Sequence, residues 1–214
     1  MEAYISNIRK RFLKDTKEHQ LTIVKDDGIY RHIQISKPGT CVCHYNLTTW
    51  PYHLCISGDM GTWVFSRIED MFDFFIMNDS DYNKPDEINP HYWAEKVQAI
   101  SRFGGSGIYE FDTDDFKAQV RRRVKEYFEG HPQGCKECLQ ELEDDVFMYM
   151  DDYPKEVIYE RLYNFSYSAP DGDEFTFSGE DMPDAQRFSL YYIWILYAIV
   201  KGITMYNKYH ANKH

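Results

Sequence analysis

Two short cysteine clusters are the first residues in this chain with chemistry in them. Cys41-Val42-Cys43-His44 offers two thiols and an imidazole. Cys135-Lys136-Glu137-Cys138 follows closely on His131. Zinc takes four thiolate or imidazole ligands in a tetrahedron, and C-x-x-C is one of its habitual spacings. A C-x-C at the start of a strand would turn both thiols to one face, where they could chelate. No second C-x-x-C accompanies them, and isolated cysteine pairs more often serve as core side chains. Cys41, Cys43, Cys135 and Cys138 are therefore zinc candidates outweighed by a structural role, and the expectation is no metal and no other cofactor.

Catalytic groups are equally sparse. Asp59 lies in Gly58-Asp59-Met60-Gly61, a setting that could expose a catalytic carboxylate but fits better as a tight turn. Ser66 and His53 are a conceivable nucleophile and base, yet no Gly-x-Ser-x-Gly surrounds the serine. The chain has no phosphate loop and no dinucleotide fingerprint. The expectation is a protein that is not an enzyme. The alternatives are a metal-dependent hydrolase or nuclease using Asp59 or the acids of 171–184, and a small zinc-stabilised structural or assembly protein.

Charge is the strongest asymmetry. The chain has a net charge of −11, and residues 137–187 hold 15 Asp/Glu against 3 Lys/Arg. Glu137, Glu141, Asp144, Asp145 and Asp152 fall near one side of a predicted helix. Glu156 and the loop acids Asp171, Asp173 and Glu174 follow. Such a row repels free nucleic acid, since phosphate binding needs positive charge. It can instead imitate a phosphate backbone and enter a basic protein groove. Just before it, Lys117, Arg121 and Lys125, with Arg122 and Arg123, make a basic stripe. That stripe reads as a solvated face paired with Asp114, Glu126 and Glu129 on the same helix.

The elements that must position these residues follow from periodicity. The 214 residues are 43% hydrophobic and 17% aromatic, enough for a sizeable core in a single domain. Five cysteines and a first segment without an apolar run point to reduced thiols in a cytosolic protein. The apolar stretch Ser189–Val200 is too short to span a bilayer. Residues 2–18 read as a helix. Period-two strands follow at 21–24, 30–35, 41–47, 53–57 and 62–66, with turns at Gly28, Pro38-Gly39, Thr48–Pro51 and Gly58–Gly61. A helix capped by Ser66 with Glu69 as its box partner comes next. After a polar loop at 78–90, a helix covers 91–101 and a Gly-rich turn 103–107.

The remainder is mainly helical, with helices around 116–128, 139–149, 155–164 and 184–209 and one short strand at 175–177. The pattern predicts an α+β fold, an N-terminal antiparallel β-meander packed against a mainly helical C-terminal half. Its two parts would be 1–110 and 111–214, with the last helix lying across the sheet or within the helical layer. The run Tyr191–Tyr197 is apolar nearly all round, which fits either a core helix or the interface of a homodimer.

Several stretches resemble a family of uncharacterised proteins from tailed phages and enterobacterial prophages. They are Thr49-Trp50-Pro51, Leu54 to Gly61, Val64-Phe65-Ser66-Arg67, Glu69-Asp70-Met71-Phe72, Asn89-Pro90 through Tyr92-Trp93-Ala94-Glu95-Lys96, and Tyr197-Ala198-Ile199-Val200 with Gly202-Ile203. The chain departs from that family at Lys201, where a large aromatic is usual. The resemblance implies a phage accessory protein acting in the host cytoplasm, without catalytic residues to carry over. Proteins of that class often bind and disable a host defence or regulatory complex, so the implied partner is a host protein or nucleoprotein complex, with no membrane and no direct nucleic acid.

Overall fold

The structure, a computed structural model, describes residues 2–76, 87–101, 107–169, 172 and 174–213. The chain divides into two compact units, Met1–Glu110 with Phe188–His214 and Phe111–Arg187. The second unit is thus inserted, in sequence, into the first. Most of the polar loop at 78–90, the turn at 103–106, Asp171 and Asp173 lie outside the described residues. The class is α+β, as the periodicity predicts.

The first unit opens with helix α1 (Glu2–Asp15), which buries Ile8 and Phe12. The helix stops short of 18 because Thr16 turns its hydroxyl back onto the Phe12 carbonyl at 2.7 Å. Strands β1 (Gln20–Asp27), β2 (Tyr30–Ser36), β3 (Tyr45–Trp50), β4 (His53–Gly58) and β5 (Gly61–Ser66) follow. The short helices α2 (Met71–Ile76) and α3 (Pro90–Ala94) precede β6 (Val97–Ile100). All six strands pair antiparallel in chain order. Their register lines up one row, Ile23, Ile33, Leu47, Ile56, Trp63 and Ile100, across the whole sheet. Period-two alternation puts such a row on one face.

Three sequence expectations change here. Residues 41–44 are a turn, not the start of a strand. Cys43 adopts φ +57, and its N–H is taken by the Asp59 carboxylate at 2.6 Å. Ser66 is the last residue of β5, so Asp70 caps α2 instead, accepting from the Phe72 N–H at 2.9 Å. The helix expected over 91–101 ends at Ala94, and Val97–Ile100 join the sheet beside β5.

Strand β7 (Tyr109–Phe111) pairs with β10 (Gln186–Phe188), and helix α7 (Leu190–Ala211) closes the chain. It starts six residues later than expected, because Ser189 provides the cap to the Tyr192 N–H. Every residue from Tyr192 to Val200 is buried. The helix crosses the sheet at Gly202, where a Cβ would lie 2.7 Å from the Leu47 Cδ1 and 3.3 Å from the Ile35 Cδ1. A glycine there trades helix propensity for close approach. The aromatic run of 191–197 is therefore largely spent inside the core and offers little surface for a second copy.

The second unit contains α4 (Thr113–Tyr127), α5 (Pro132–Asp145), a 3-10 turn at Phe147–Tyr149, α6 (Lys155–Tyr163) and the hairpin β8 (Ser166–Ser168) with β9 (Glu174–Thr176). Phe116, Val120, Val124 and Phe128 recur every four residues and form one wall of its core. Cys138, Leu142 and Val146 form another, with Ile158 and Leu162 from α6 and Tyr167 and Phe175 from the hairpin.

Candidate functional site

The two units differ in charge before they differ in anything else. Met1–Glu110 with Phe188–His214 holds 15 Lys/Arg and 15 Asp/Glu; Phe111–Arg187 holds 9 and 20. The whole excess of −11 belongs to the second unit.

Within that unit the basic stripe on α4 meets part of the acidic segment. Arg121 pairs with Glu143 at 3.1 Å and Arg123 with Asp181 at 2.8 Å. Arg122 reaches Glu126 on its own helix at 3.9 Å. Self-pairing along the helix, the sequence expectation, accounts only for the last of these. Lys117 and Arg121 also lie over the Phe147 ring, at 5.5 and 5.0 Å. Three of the five basic side chains of α4, Arg121, Arg122 and Arg123, thus pair with acids of their own unit.

The predicted acidic face then sorts by partner. Glu137 accepts from Gln133 and from the Tyr167 hydroxyl at 3.0 Å. Those two hydrogen bonds hold its carboxyl below the usual range. Asp144 accepts from Gln140. Glu141, Asp144, Asp145, Asp152, Glu156 and Glu174 are all exposed and stand in no ion pair among the described residues. Asp152 is not on the helix of the other acids, because α5 ends at Asp145 and a 3-10 turn intervenes. Arg161, which shares an open depression of about 500 Å³ with Asp145 and Glu160, stacks 3.9 Å over Tyr149 and donates to the Asp145 carbonyl. Two apolar side chains, Met148 and Tyr153, are exposed between these acids.

The cysteine candidates come apart. Cys138 is fully buried, and burial, with Glu141 nearby, pushes its thiol up to about 12, which disfavours the thiolate a metal needs. Cys135 is half-buried beside it. Cys41 is exposed, while Cys43 sits in the left-handed turn, so the strand geometry behind the chelate reading is absent. Among the described residues no group of three His, Cys, Asp or Glu could hold a metal. Asp59 is spent on this turn: one oxygen takes the Cys43 N–H, the other lies 2.9 Å from His44 Nδ1. Gly58 makes room for it, since a Cβ there would lie 2.2 Å from the His44 carbonyl oxygen.

Comparison with known proteins leaves the site to speak for itself. No family model, no curated protein and no solved structure matches the chain.

Two features of the first unit stand apart from the acidic segment. His53 and Ser66 face each other across β4 and β5, but among the described residues no hydrogen bond joins their side chains. His53 Nδ1 lies 2.9 Å from the Pro51 carbonyl, to which it donates, and the ring stacks on Trp50. Next to them Tyr52 holds φ +68, fixed by its N–H to the Glu69 carbonyl and by the Arg67 N–H to its own carbonyl. A polar network is the second. Arg31 makes a bidentate pair with Asp70 at 2.9 and 2.7 Å, reaches the Tyr206 hydroxyl and lies over Phe72. Tyr206 in turn donates to Asp26, which also meets His210 at 2.9 Å. Burial opposes the Asp70 charge, yet the Arg31 hydrogen bonds and two backbone N–H groups outweigh it and hold the carboxyl below its ordinary value. The network ties β1, β2, α2 and α7 together. Nothing in the sequence links Arg31 to Asp70 or Tyr206, since they meet only through the tertiary fold.

Proposed function

We propose that the protein acts by binding rather than by catalysis, and that the acidic face of its second unit occupies a basic groove on a host protein that handles nucleic acid. The observation that carries this reading is the confinement of the entire −11 to Phe111–Arg187. There Glu141, Asp144, Asp145, Asp152 and Glu156 remain exposed outside the ion pairs made by α4. Carboxylates spaced along a helix and its following turn present the sign of charge that a phosphate-binding groove is built to attract, and they steer association at long range. The same charge repels nucleic acid itself. The resemblance to phage accessory proteins supplies the setting, a host cytoplasm in which blocking a defence complex is useful.

The test is capture of partners by the tagged protein from lysate of a phage host, beside a variant carrying Glu141→Lys, Asp144→Lys, Asp145→Lys and Asp152→Lys. The expected outcome is a nucleic-acid-binding complex released by salt and lost from the variant, whose circular dichroism and melting stay those of the parent. Undiminished capture by the charge-reversed variant refutes the reading.

A further inference from the structure

Helix α7 packs on one face of the first unit's sheet, where Gly202 meets Leu47 and Ile35. On the opposite face the outward positions of β2 to β5 alternate with the buried ones, and all of them are exposed or half-buried. They number thirteen, and none is Asp, Glu, Lys or Arg, although 28% of the chain is charged. At the β1 edge the register sets one charge of each sign beside them, Lys25 next to His32 and Asp27 next to Tyr30. Antiparallel sheets with one face in water usually alternate core residues with polar and charged ones. The outward set here is uncharged, mostly hydroxyls, amides and imidazoles, with two large rings at one end.

Those rings stand in one row. Trp50 pairs with His53 across β3 and β4, and their rings stack at 5.0 Å and 9°. His53 Nδ1 donates to the Pro51 carbonyl, so the imidazole is fixed and braces the indole from one side. One step beyond Arg31 and Thr49, the β2–β3 register brings Tyr30 level with Trp50 on the other side. Tyr30 is 48% exposed and Trp50 36%, so both rings keep free surface on strands rather than on a loop. Four residues along the same strands Gln34 and Asn46 face each other, about 14 Å from the rings at ~3.4 Å per residue. Between the two rows the His32 ring and the Thr48 hydroxyl are hydrogen-bonded at 2.8 Å. The Gln34 and Asn46 side-chain amides have no protein partner among the described residues.

These properties select a ligand class. The negative face of an aromatic ring attracts C–H groups, and a pyranose presents C–H groups on its flat sides and hydroxyls at its rim. Amides both donate and accept, as hydroxyls do. Single-stranded nucleic acid also stacks on rings, but it needs a positive groove for its backbone, and this face has none. A second copy is ill matched in size. Five strands ~4.8 Å apart and six residues long make a face of about 400 Å², half of the roughly 800 Å² per partner in a standard interface.

We propose that this face binds a short neutral oligosaccharide along β2 and β3, with one sugar against Trp50 and Tyr30 and the hydroxyls of the far sugar on Gln34 and Asn46. The site lies in the first unit, and its failure leaves the reading of the acidic face untouched.

The test titrates the full chain with cellotriose, maltotriose and tri-N-acetylchitotriose, and with trigalacturonate as an anionic control of the same length. Tryptophan fluorescence and isothermal titration calorimetry are the readouts. Trp63, Trp93 and Trp194 are each 1% exposed, so a change in emission on binding reports Trp50. At least one neutral trisaccharide is expected to bind at one site with a dissociation constant of about 1 mM or tighter, and at least ~tenfold more tightly than trigalacturonate. Trp50→Ala should weaken it at least ~tenfold, and Asn46→Ala, at the far end of the face, at least ~threefold. Both variants are expected to keep the parent's circular dichroism. The proposal is overturned when no neutral trisaccharide binds at ~10 mM, when trigalacturonate binds equally well, or when affinity is unchanged in either variant. A dimer in sedimentation velocity that Trp50→Ala dissociates overturns it too, and assigns the face to a second copy.

Discussion

The first unit balances 15 basic against 15 acidic residues and uses charge to join its elements; the second carries 9 against 20 and leaves much of its charge facing water. Arg31 and Asp70 illustrate the first pattern, with side chains only 11% and 21% exposed. Arg121 and Glu143, at 43% and 48%, illustrate the second. Both units bury clusters of aromatic rings, so packing does not separate them. A fold needs charge only where partly buried groups must be matched. Exposed charge in excess of that adds self-repulsion and no packing, and its value has to be sought outside the molecule.

The largest expected effect comes from breaking one core. Phe116→Ala removes a ring that touches Phe111, Phe147 and Tyr159 and should cost about 3–5 kcal/mol. Hydrogen exchange is expected to lose protection in α4, α5 and α6 while β2–β5 keep theirs. Equal loss in both sets would mean that the two units unfold as one. Next in size is the ion-pair contrast. Arg31→Ala strands Asp70 and Tyr206 and should cost about 2–4 kcal/mol in urea denaturation, whereas Arg121→Ala should cost under about 1 kcal/mol. Similar costs would erase the distinction between the two kinds of charge.

Acid should act on the first unit in two stages. Burial, partly offset by the Cys43 carbonyl, lowers the pKa of His19. Its Nε2 lies 2.9 Å from that carbonyl and donates to it, while Nδ1 is buried without a protein partner. The unfolded chain therefore takes up the proton first, and stability falls as pH drops past the ordinary histidine value of 6.5. Asp70, also lowered, contributes stability that is present above its ordinary value of 3.8 and lost as pH falls below it. Trp50, Trp63, Trp93 and Trp194 are the chain's four tryptophans and all lie in the first unit, so tryptophan fluorescence follows this loss selectively. His19→Gln should remove the first stage and keep the second. The smallest effect is salt. Raising it to ~0.5 M should stabilise the second unit by at most about 1 kcal/mol and the first by less. Far-UV circular dichroism, compared with tryptophan fluorescence, would separate the two.

What could be read from the sequence was what local periodicity encodes. The meander was legible because Ile33, Ile35, Leu47, Leu54 and Ile56 alternate between clear turns. The wall of α4 was legible because Phe116, Val120, Val124 and Phe128 repeat every four residues. Strand β6 was not, since four residues are too few to distinguish one period from another. The turn at Cys41–His44 was hidden because its shape is imposed by Asp59, some sixteen residues away. The concentration of acid was visible as composition. The withdrawal of Glu143 and Asp181 from it by α4 was not, because those pairs depend on how the helices of the unit pack.

The insertion of the second unit into the first has a consequence for synthesis. A ribosome delivers β1 to β5 early, with Ile33, Leu47 and Ile56 ready to be covered, but α7 is made last. Some 120 residues separate Ser66 from Leu190, which at ~5–20 residues per second is on the order of ten seconds. For that interval the sheet lacks the helix that seals it, and at its end Phe111–Arg187 is complete while α7 has still to be made. The later unit in space of sequence is thus the earlier one able to finish folding, and the nascent sheet is the stage at which a chaperone would find its apolar row uncovered.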